Sequence, residues 1–464
     1  MKNSYLHQWS KIDFVRFVLP SVMSLVIISL YMTVDAIFIS RYVGPMGLAA
    51  VNIVMPLFNL SLGIAIMLAA GSSAIIGIEL GEKKTESANR HFALVFCFGV
   101  GLMAVMYVTI QLVGPATIAA MLGATETLLP LCTEYIRVFS LGLSVVIFQL
   151  LFEYFIRLDG NPMFALLVTM VSGITNVLLD YLLIVRLEMG ITGAAIASTA
   201  GILVAAVLGI IYFSFISTQL KPIRPIADPR FLLRCLINGS SEMITDISSG
   251  IKILVFNLII ISYAGEQGVA VMAIFLNLYF LMSSFHIGLI MGTAPVFSLN
   301  FGAGNFIKIR QLTKQSLSVC LAMSILVFAI AETQGYRIIS YFSKDAEVVG
   351  LAVDGFRIFS FAFLANGITI LASGFFTSMG NGKISAVIAG MNSIVFTLGF
   401  VAVLPVFLGL NGVWLSIPLA EALAMLMSVA FFLKFRKVYV SPQEKKTMES
   451  FIFPSRSADC QNMP

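Results

Sequence analysis

An aspartate inside an apolar helix costs about 2.5–3.5 kcal/mol on insertion scales, so each one found there needs a reason. In this 464-residue sequence Asp35, Asp180, Asp246 and Glu421 all fall within long apolar stretches. Asn176 precedes Asp180 by four residues, one helical turn away on the same face. Glu242 stands in the same relation to Asp246, and Lys252 follows six residues after Asp246. Two carboxylates in a low-dielectric pocket cannot both stay ionised without a partner. A proton or Na⁺ can supply that partner, with Asn176 and the Ser198 hydroxyl as neutral oxygen ligands. The chemistry on offer is a change of charge on ion binding, not the making of bonds.

Bond-making chemistry finds little support. The three histidines (His7, His91, His286) lie well apart, and there is no His-Glu-x-x-His, no Cys/His metal spacing and no Gly-x-Ser-x-Gly. Gly380-Asn381-Gly382-Lys383 lacks the earlier Gly and the following Ser/Thr of a phosphate loop. The chain is expected to be neither an enzyme nor an ATP-driven motor, and to need no cofactor. His286 reads as a helix-contact donor, Glu153 and Arg157 as a local i,i+4 ion pair. The five cysteines (Cys97, Cys132, Cys235, Cys320, Cys460) read as packing residues.

The elements that must position these groups are helices in a bilayer. Apolar residues make up 59% of the chain and charged residues 11%, with a mean hydropathy of +0.98. A soluble domain carries about 25% charge, so a chain this long could not cover a soluble surface. The apolar runs suit transmembrane helices rather than barrel strands. Reading between charged and Gly/Pro breaks gives twelve spans, at roughly 14–39, 48–78, 92–114, 133–156, 163–186, 191–215, 233–263, 268–299, 315–334, 354–379, 384–408 and 412–433. The expected fold is an all-α membrane protein.

A net charge of +5 does not signal nucleic acid, because its distribution follows the membrane. Counting Lys and Arg on alternate sides of the spans gives 21 on the side of both termini against four on the other. This is the positive-inside pattern, with both termini cytoplasmic. It also leads us to discount Asn238-Gly239-Ser240 as a glycosylation site, since it falls on the cytoplasmic side.

The chain is internally duplicated. A shift of 221 residues lays span 2 on span 8 without a gap: Gly44 meets Gly265, Gly47 meets Gly268, Gly71 meets Gly292 and Gly81 meets Gly302. At 220, Arg137, Phe139 and Ser140 meet Arg357, Phe359 and Ser360, and Gly160-Asn161 meets Gly380-Asn381. At 219, Gly193 meets Gly412. Two six-helix bundles duplicated in the same sense are the parallel-repeat plan of secondary transporters, with a substrate cavity at the repeat interface. The expected lobes are 1–220 and 221–440, the latter led by a Pro-rich basic linker at about 217–232; a polar tail, 441–464, is expected to be disordered.

These residues resemble the multidrug and toxic compound extrusion (MATE) transporters, and most of all their bacterial multidrug-efflux branch. The resemblance is carried by Leu19-Pro20 and Val34-Asp35-Ala36-Ile37-Phe38-Ile39 in span 1. It continues with Gly71-Ser72-Ser73-Ala74, Arg157-Leu158-Asp159-Gly160-Asn161-Pro162 and Asn176-Val177-Leu178-Leu179-Asp180-Tyr181. Gly190-Ile191-Thr192-Gly193-Ala194-Ala195, Pro295-Val296-Phe297-Ser298-Leu299-Asn300-Phe301-Gly302 and Gly412-Val413-Trp414-Leu415-Ser416 complete it, over about residues 10–436. It implies a two-lobed exporter of cationic amphipathic compounds, working as a monomer in a bacterial plasma membrane in exchange for H⁺ or Na⁺.

The resemblance also implies that Asp35, Asn176, Asp180 and Ser198 form an N-lobe cation site, although Thr is commoner at the Ser198 position, and Thr199 stands next to it. Pro20 would kink span 1 when Asp35 is protonated. Asp246, in a pattern where the family more often has Glu, would meet a cationic drug together with Glu421 and Met291. Some family members carry an Asp in span 10; here that span offers Asn366 and Thr369 and no acid, which counts against a second Na⁺ site. The rival reading is a flippase for a lipid-linked saccharide or polyprenyl phosphate. That anionic substrate calls for intramembrane Lys or Arg, and the spans are richer in acids.

Overall fold

The computed structural model describes residues 10–342 and 346–440, and the tail at 441–464 and Cys460 lie outside the described residues. Every regular element among the described residues is helical. The helices are α1 (Lys11–Phe38), α2 (Pro45–Gly81), α3 (Thr85–Val113), α4 (Pro115–Met121), α5 (Leu129–Leu158), α6 (Pro162–Asp180) and α7 (Gly190–Ile211). The second half holds α8 (Pro229–Gly302), α9 (Phe306–Phe342), α10 (Ala346–Phe359), α11 (Ala362–Ser378), α12 (Gly382–Gly390), α13 (Thr397–Leu408) and α14 (Leu410–Val440).

Among the described residues, ten helical segments are long and apolar enough to cross a membrane. One of them, α8, runs for 74 residues and is broken at Gly265 (φ 57°, ψ −154°). At 1.5 Å per residue such a helix would be more than three times as long as the roughly 30 Å hydrocarbon core is thick. It is therefore two spans joined at a glycine turn. Helices α10 and α11, bent by 51° at a short break, make one further span. The protein is an all-α membrane protein of twelve spans in two bundles of six. Within the first bundle α5 and α6 pack on α7 and α3 on α5; within the second α9, α10, α11 and α13 pack around α14.

The duplication is visible in backbone and hydrogen bonds alike. Gly44 ends span 1 with φ 98°, and its repeat partner Gly265 makes the turn inside α8. Gly160 and Gly380, also repeat partners, have φ 104° and 75°. These are conformations that L side chains rarely adopt, which is why the repeat keeps glycine there. Asn161 caps α6 by accepting from the Phe164 amide (3.1 Å), and Asn381 caps α12 by accepting from the Ile384 amide (3.4 Å). Gln111 donates to Ser140 at 2.9 Å, and at the equivalent places Ser360 donates to Glu332 at 2.6 Å.

By contacts the described chain divides into two compact units. One takes Phe17–Ser73 and Thr85–Gly250; the other takes Ala74–Lys84 and the described residues from Ile251 onward, with the start of α1. The end of α2 thus belongs with the second unit, and the start of α8 with the first. Glycines explain both placements. A Cβ on Gly81 would collide with the Leu299 carbonyl oxygen, and one on Gly302 with that of Ile78, so α2 and the end of α8 cross backbone to backbone. In the first unit Gly71 and Gly239 allow the same approach of α2 to the start of α8. Asn238, buried in that crossing, donates to the Gly71 carbonyl at 3.3 Å.

The first unit also pins the linker. Asp159, 4% exposed, accepts from the Tyr212 hydroxyl (2.8 Å), the Ser217 hydroxyl (3.1 Å) and the amides of Thr218 (3.0 Å), Gln219 (2.8 Å) and Leu220 (2.9 Å). One carboxylate thereby orders four consecutive residues that no helix supports. In the second unit, Phe275 of α8 packs its ring against Phe356, Phe359 and Trp414 at centroid distances of 5.0–5.4 Å. Cys132, Cys235 and Cys320 are buried packing residues, whereas Cys97 is exposed on α3.

Candidate functional site

Three helices and a π-helical turn build a polar pocket inside the first unit. Helix α1 carries Asp35 one turn before its end. Helix α6 presents Asn176 and ends on Asp180, where the backbone widens into a π-helical turn, Tyr181–Arg186. Helix α7 presents Ser198. The approach of α6 to α7 rests on Gly201: its Cβ would meet the Ser172 carbonyl oxygen at 3.0 Å and the Asn176 Cβ at 3.3 Å. Ser172 closes the contact by donating to the Gly201 carbonyl at 2.8 Å.

In this pocket Asn176 Nδ2 donates to Ser198 Oγ at 3.4 Å. Thr199 turns away and donates to its own helix at the Ala195 carbonyl (2.7 Å), so Ser198 is the hydroxyl that faces the site. The carboxyls of Asp35 and Asp180 face each other within electrostatic reach. Asp180 is fully buried and Asn176 is 4% exposed. Asp35 Oδ1, Asn176 Oδ1 and both carboxyl oxygens of Asp180 are buried with no hydrogen-bond donor. Native interiors leave few such atoms, and buried acceptors without a donor beside a pair of carboxyls are what a proton or cation satisfies.

Sequence reasoning missed two tyrosines at this pocket. Tyr135 of α5 places its phenol beside Ser198, within reach of both carboxyls. Tyr31, one turn before Asp35, fits its ring against α6 only because residue 173 is glycine: a Cβ there would lie 2.6 Å from Tyr31 Cδ1. The i−4 spacing of Tyr31 from Asp35 could have marked it. Nothing in the order of residues ties Tyr135 to Asp180.

The remaining candidates separate. Asp246 is half-buried on the first half of α8, with Gly63 of α2 beside it. Tyr154 of α5 lies within electrostatic range of Glu242, Arg157, Asp246 and Glu153. Glu153 and Arg157 pair at 3.3 Å as expected, but at 2% and 1% exposure they are buried. Pro20 is buried within α1, which continues through it as one helix, and its carbonyl accepts from Ser24 Oγ at 3.0 Å. Met291, half-buried on α8, and Glu421 on α14 belong to the other unit. His286 is a helix contact, 3.1 Å from Ser324 Oγ and packed against Gly367.

The sequence profile of the MatE family matches residues 20–182 and 249–403. The chain belongs to the MatE family. It is similar to the multidrug export protein MepA of Staphylococcus saprophyticus, at 25% identity over 447 residues, covering 94% of this chain and 98% of that protein. Among solved structures it is similar in fold to a MATE protein in complex with MaL6, with a TM-score of 0.87 at 22% identity over 95% of this chain and 98% of that one. It is also similar to a MATE family multidrug resistance transporter in an outward-facing conformation, with a TM-score of 0.85 at 23% identity over 95% of this chain and 98% of that one. MatE proteins are membrane transporters, and this chain is a multi-pass transporter rather than an enzyme.

Proposed function

We propose that this MatE transporter exports cationic amphipathic compounds across a bacterial plasma membrane in exchange for H⁺ or Na⁺. The observation that carries the reading is the set of four donor-less acceptors on Asp35, Asn176 and Asp180. A pocket of oxygens with two carboxyls and no donor gains most from a proton or Na⁺, and its charge changes when the ion arrives. Multidrug export is what the name of the staphylococcal relative states, and Asp246 with Glu242 and Tyr154 gives the first unit a second acidic face suited to an organic cation. In the second unit Met291 is a proposed apolar contact for substrate, adaptable because its side chain is flexible. Ion entry neutralises Asp35 and Asp180, and Pro20 is the weak point at which α1 responds. By linkage the ion and the drug weaken each other's binding. The excess of Lys and Arg on one side supports a cytoplasmic position for both termini, and the proposed lobes are 1–220 and 221–440 of a monomer.

The test is ethidium transport by purified protein in proteoliposomes, with a pH gradient and a Na⁺ gradient imposed separately. Movement driven by one gradient and lost in Asp35→Asn supports the reading and names the ion. Coupled transport that survives Asp35→Asn removes the proposed pocket from the mechanism, and no movement under either gradient favours the flippase reading.

A further inference from the structure

We propose that a cavity at the start of α5 binds the headgroup of a phosphatidylethanolamine-type lipid, a phosphate joined to a primary ammonium. The cavity, of about 450 Å³, lies within the first unit and is lined by Ala116 of α4 and by Leu129, Pro130, Thr133, Glu134 and Arg137 of α5. Its volume is within the range of small-molecule pockets. Three spans precede it, so it sits at the membrane face opposite the N-terminus. Glu134 and Arg137 stand three residues apart on one face of α5, where an acid and a base ordinarily close into a direct pair. Here they stay open. The Arg137 guanidinium has no hydrogen bond or ion pair among the described residues, and the Glu134 carboxylate has one bond, accepted from the Thr192 hydroxyl at the start of α7. Two opposite charges therefore line one cavity without neutralising each other.

Two further observations separate this pair from scattered surface charge. The first is the duplication. At the 220-residue offset Leu131, Glu134, Arg137, Phe139 and Ser140 meet Leu351, Asp354, Arg357, Phe359 and Ser360, so acid and base recur together at the same spacing. Positions 131–140 and 351–360 also share one pattern of burial, with both acids and both arginines exposed. The side chains of Asp354 and Arg357 likewise have no partner among the described residues. The second is the surface around α4. Leu112, just before it, is 81% exposed and Met121, at its end, is 76% exposed. In a membrane protein acyl chains cover such side chains, and Ala116 lies between them on the cavity wall. The headgroup chemistry follows from the two charges. A guanidinium fork matches a phosphate, and a carboxylate accepts from an ammonium. Choline carries no N–H for Glu134, and a glycerol headgroup brings no cation to set against it.

The site depends on the chain being a membrane transporter, not on its cargo or its coupling ion, so a failed ethidium assay leaves it standing. Purified full-length protein in detergent is titrated with phosphatidylethanolamine, phosphatidylcholine or phosphatidylglycerol of identical acyl chains, and bound lipid is counted by native mass spectrometry. Phosphatidylethanolamine is expected to fill one site at a lower concentration than the other two. Arg137→Gln weakens that binding about tenfold, as loss of a hydrogen-bonded charge does. Glu134→Gln lowers phosphatidylethanolamine to the level of phosphatidylcholine and leaves phosphatidylcholine unchanged, a loss of selectivity that a purely structural role would not produce. Both side chains are exposed, so neither substitution empties the core. Equal binding of the three lipids, or a preference that survives both substitutions, overturns the site. Glycerophosphoethanolamine, which lacks acyl chains, is the soluble competitor: no displacement at equal concentration supports a lipid, and full displacement overturns the lipid in favour of a soluble phosphoethanolamine ester.

Discussion

Asp159→Asn tests how much of the linker's order depends on one carboxylate. Asp159 Oδ1 accepts from Ser217 Oγ and the amides of Gln219 and Leu220, and Oδ2 from Tyr212 and the Thr218 amide. An asparagine fits best with its NH₂ in the Oδ2 place, which keeps the three bonds to the remaining oxygen. The Tyr212 hydroxyl can then rotate and accept, but the Thr218 amide faces a donor and is orphaned, at about 1–3 kcal/mol. The three retained bonds also lose their charge assistance, which roughly halves each. The net loss is about 3 kcal/mol, equivalent to roughly a hundredfold change in the local opening equilibrium. Hydrogen exchange of the peptide containing Thr218, Gln219 and Leu220 reads this opening directly. It should accelerate roughly a hundredfold in Asp159→Asn and further in Asp159→Ala, with little change in peptides from α5. Exchange within about threefold of the parent protein in both variants would show that the carboxylate does not hold the linker.

Further substitutions probe the ion pocket and the glycine crossing. Asp180→Asn should abolish gradient-driven ethidium movement while leaving equilibrium ethidium binding within about tenfold, since the amide keeps the shape and loses the charge; gradient-driven movement at the parental rate would exclude Asp180 from coupling. Tyr135→Phe should change the ion concentration at half-maximal transport by about three- to tenfold and leave maximal transport nearly intact, because one neutral donor is removed; an unchanged ion dependence means the phenol does not share the site. Gly302→Ala forces α8 away from the Ile78 carbonyl, and overpacking of this kind costs about 1–3 kcal/mol. Its thermal unfolding midpoint should fall, and Gly302→Val should fall further; a midpoint equal to the parent's in both would show that the helices do not touch there.

The sequence alone determined the solvent, the number of spans and the duplication, because each rests on local or strictly periodic information. Hydropathy over about 20 residues is a property of the run itself. The paired glycines at 44 and 265, or at 160 and 380, are legible because a positive φ admits few other residues. Asp35, Asp180, Asp246 and Glu421 were conspicuous for the cost of burying them, whatever their neighbours. Their company was not legible. That Ser198 rather than Thr199 faces Asn176 depends on the rotation of α7, which the Gly201 contact sets. Tyr135 reaches the pocket from a helix 45 residues before Asp180. Asp159, one residue of the stretch that carries the family resemblance, holds a segment about 60 residues away. Glu421 is one acid in an apolar span, and only the packing of α8, α11 and the π-helical turn Met391–Phe396 around α14 brings Tyr279, Asn366 and Asn392 to one of its two oxygens. Side-chain type prices burial residue by residue, whereas the partner that offsets it comes from another helix. In a chain whose helices are apolar on nearly every face, only their packed rotation and depth decide which partner that is.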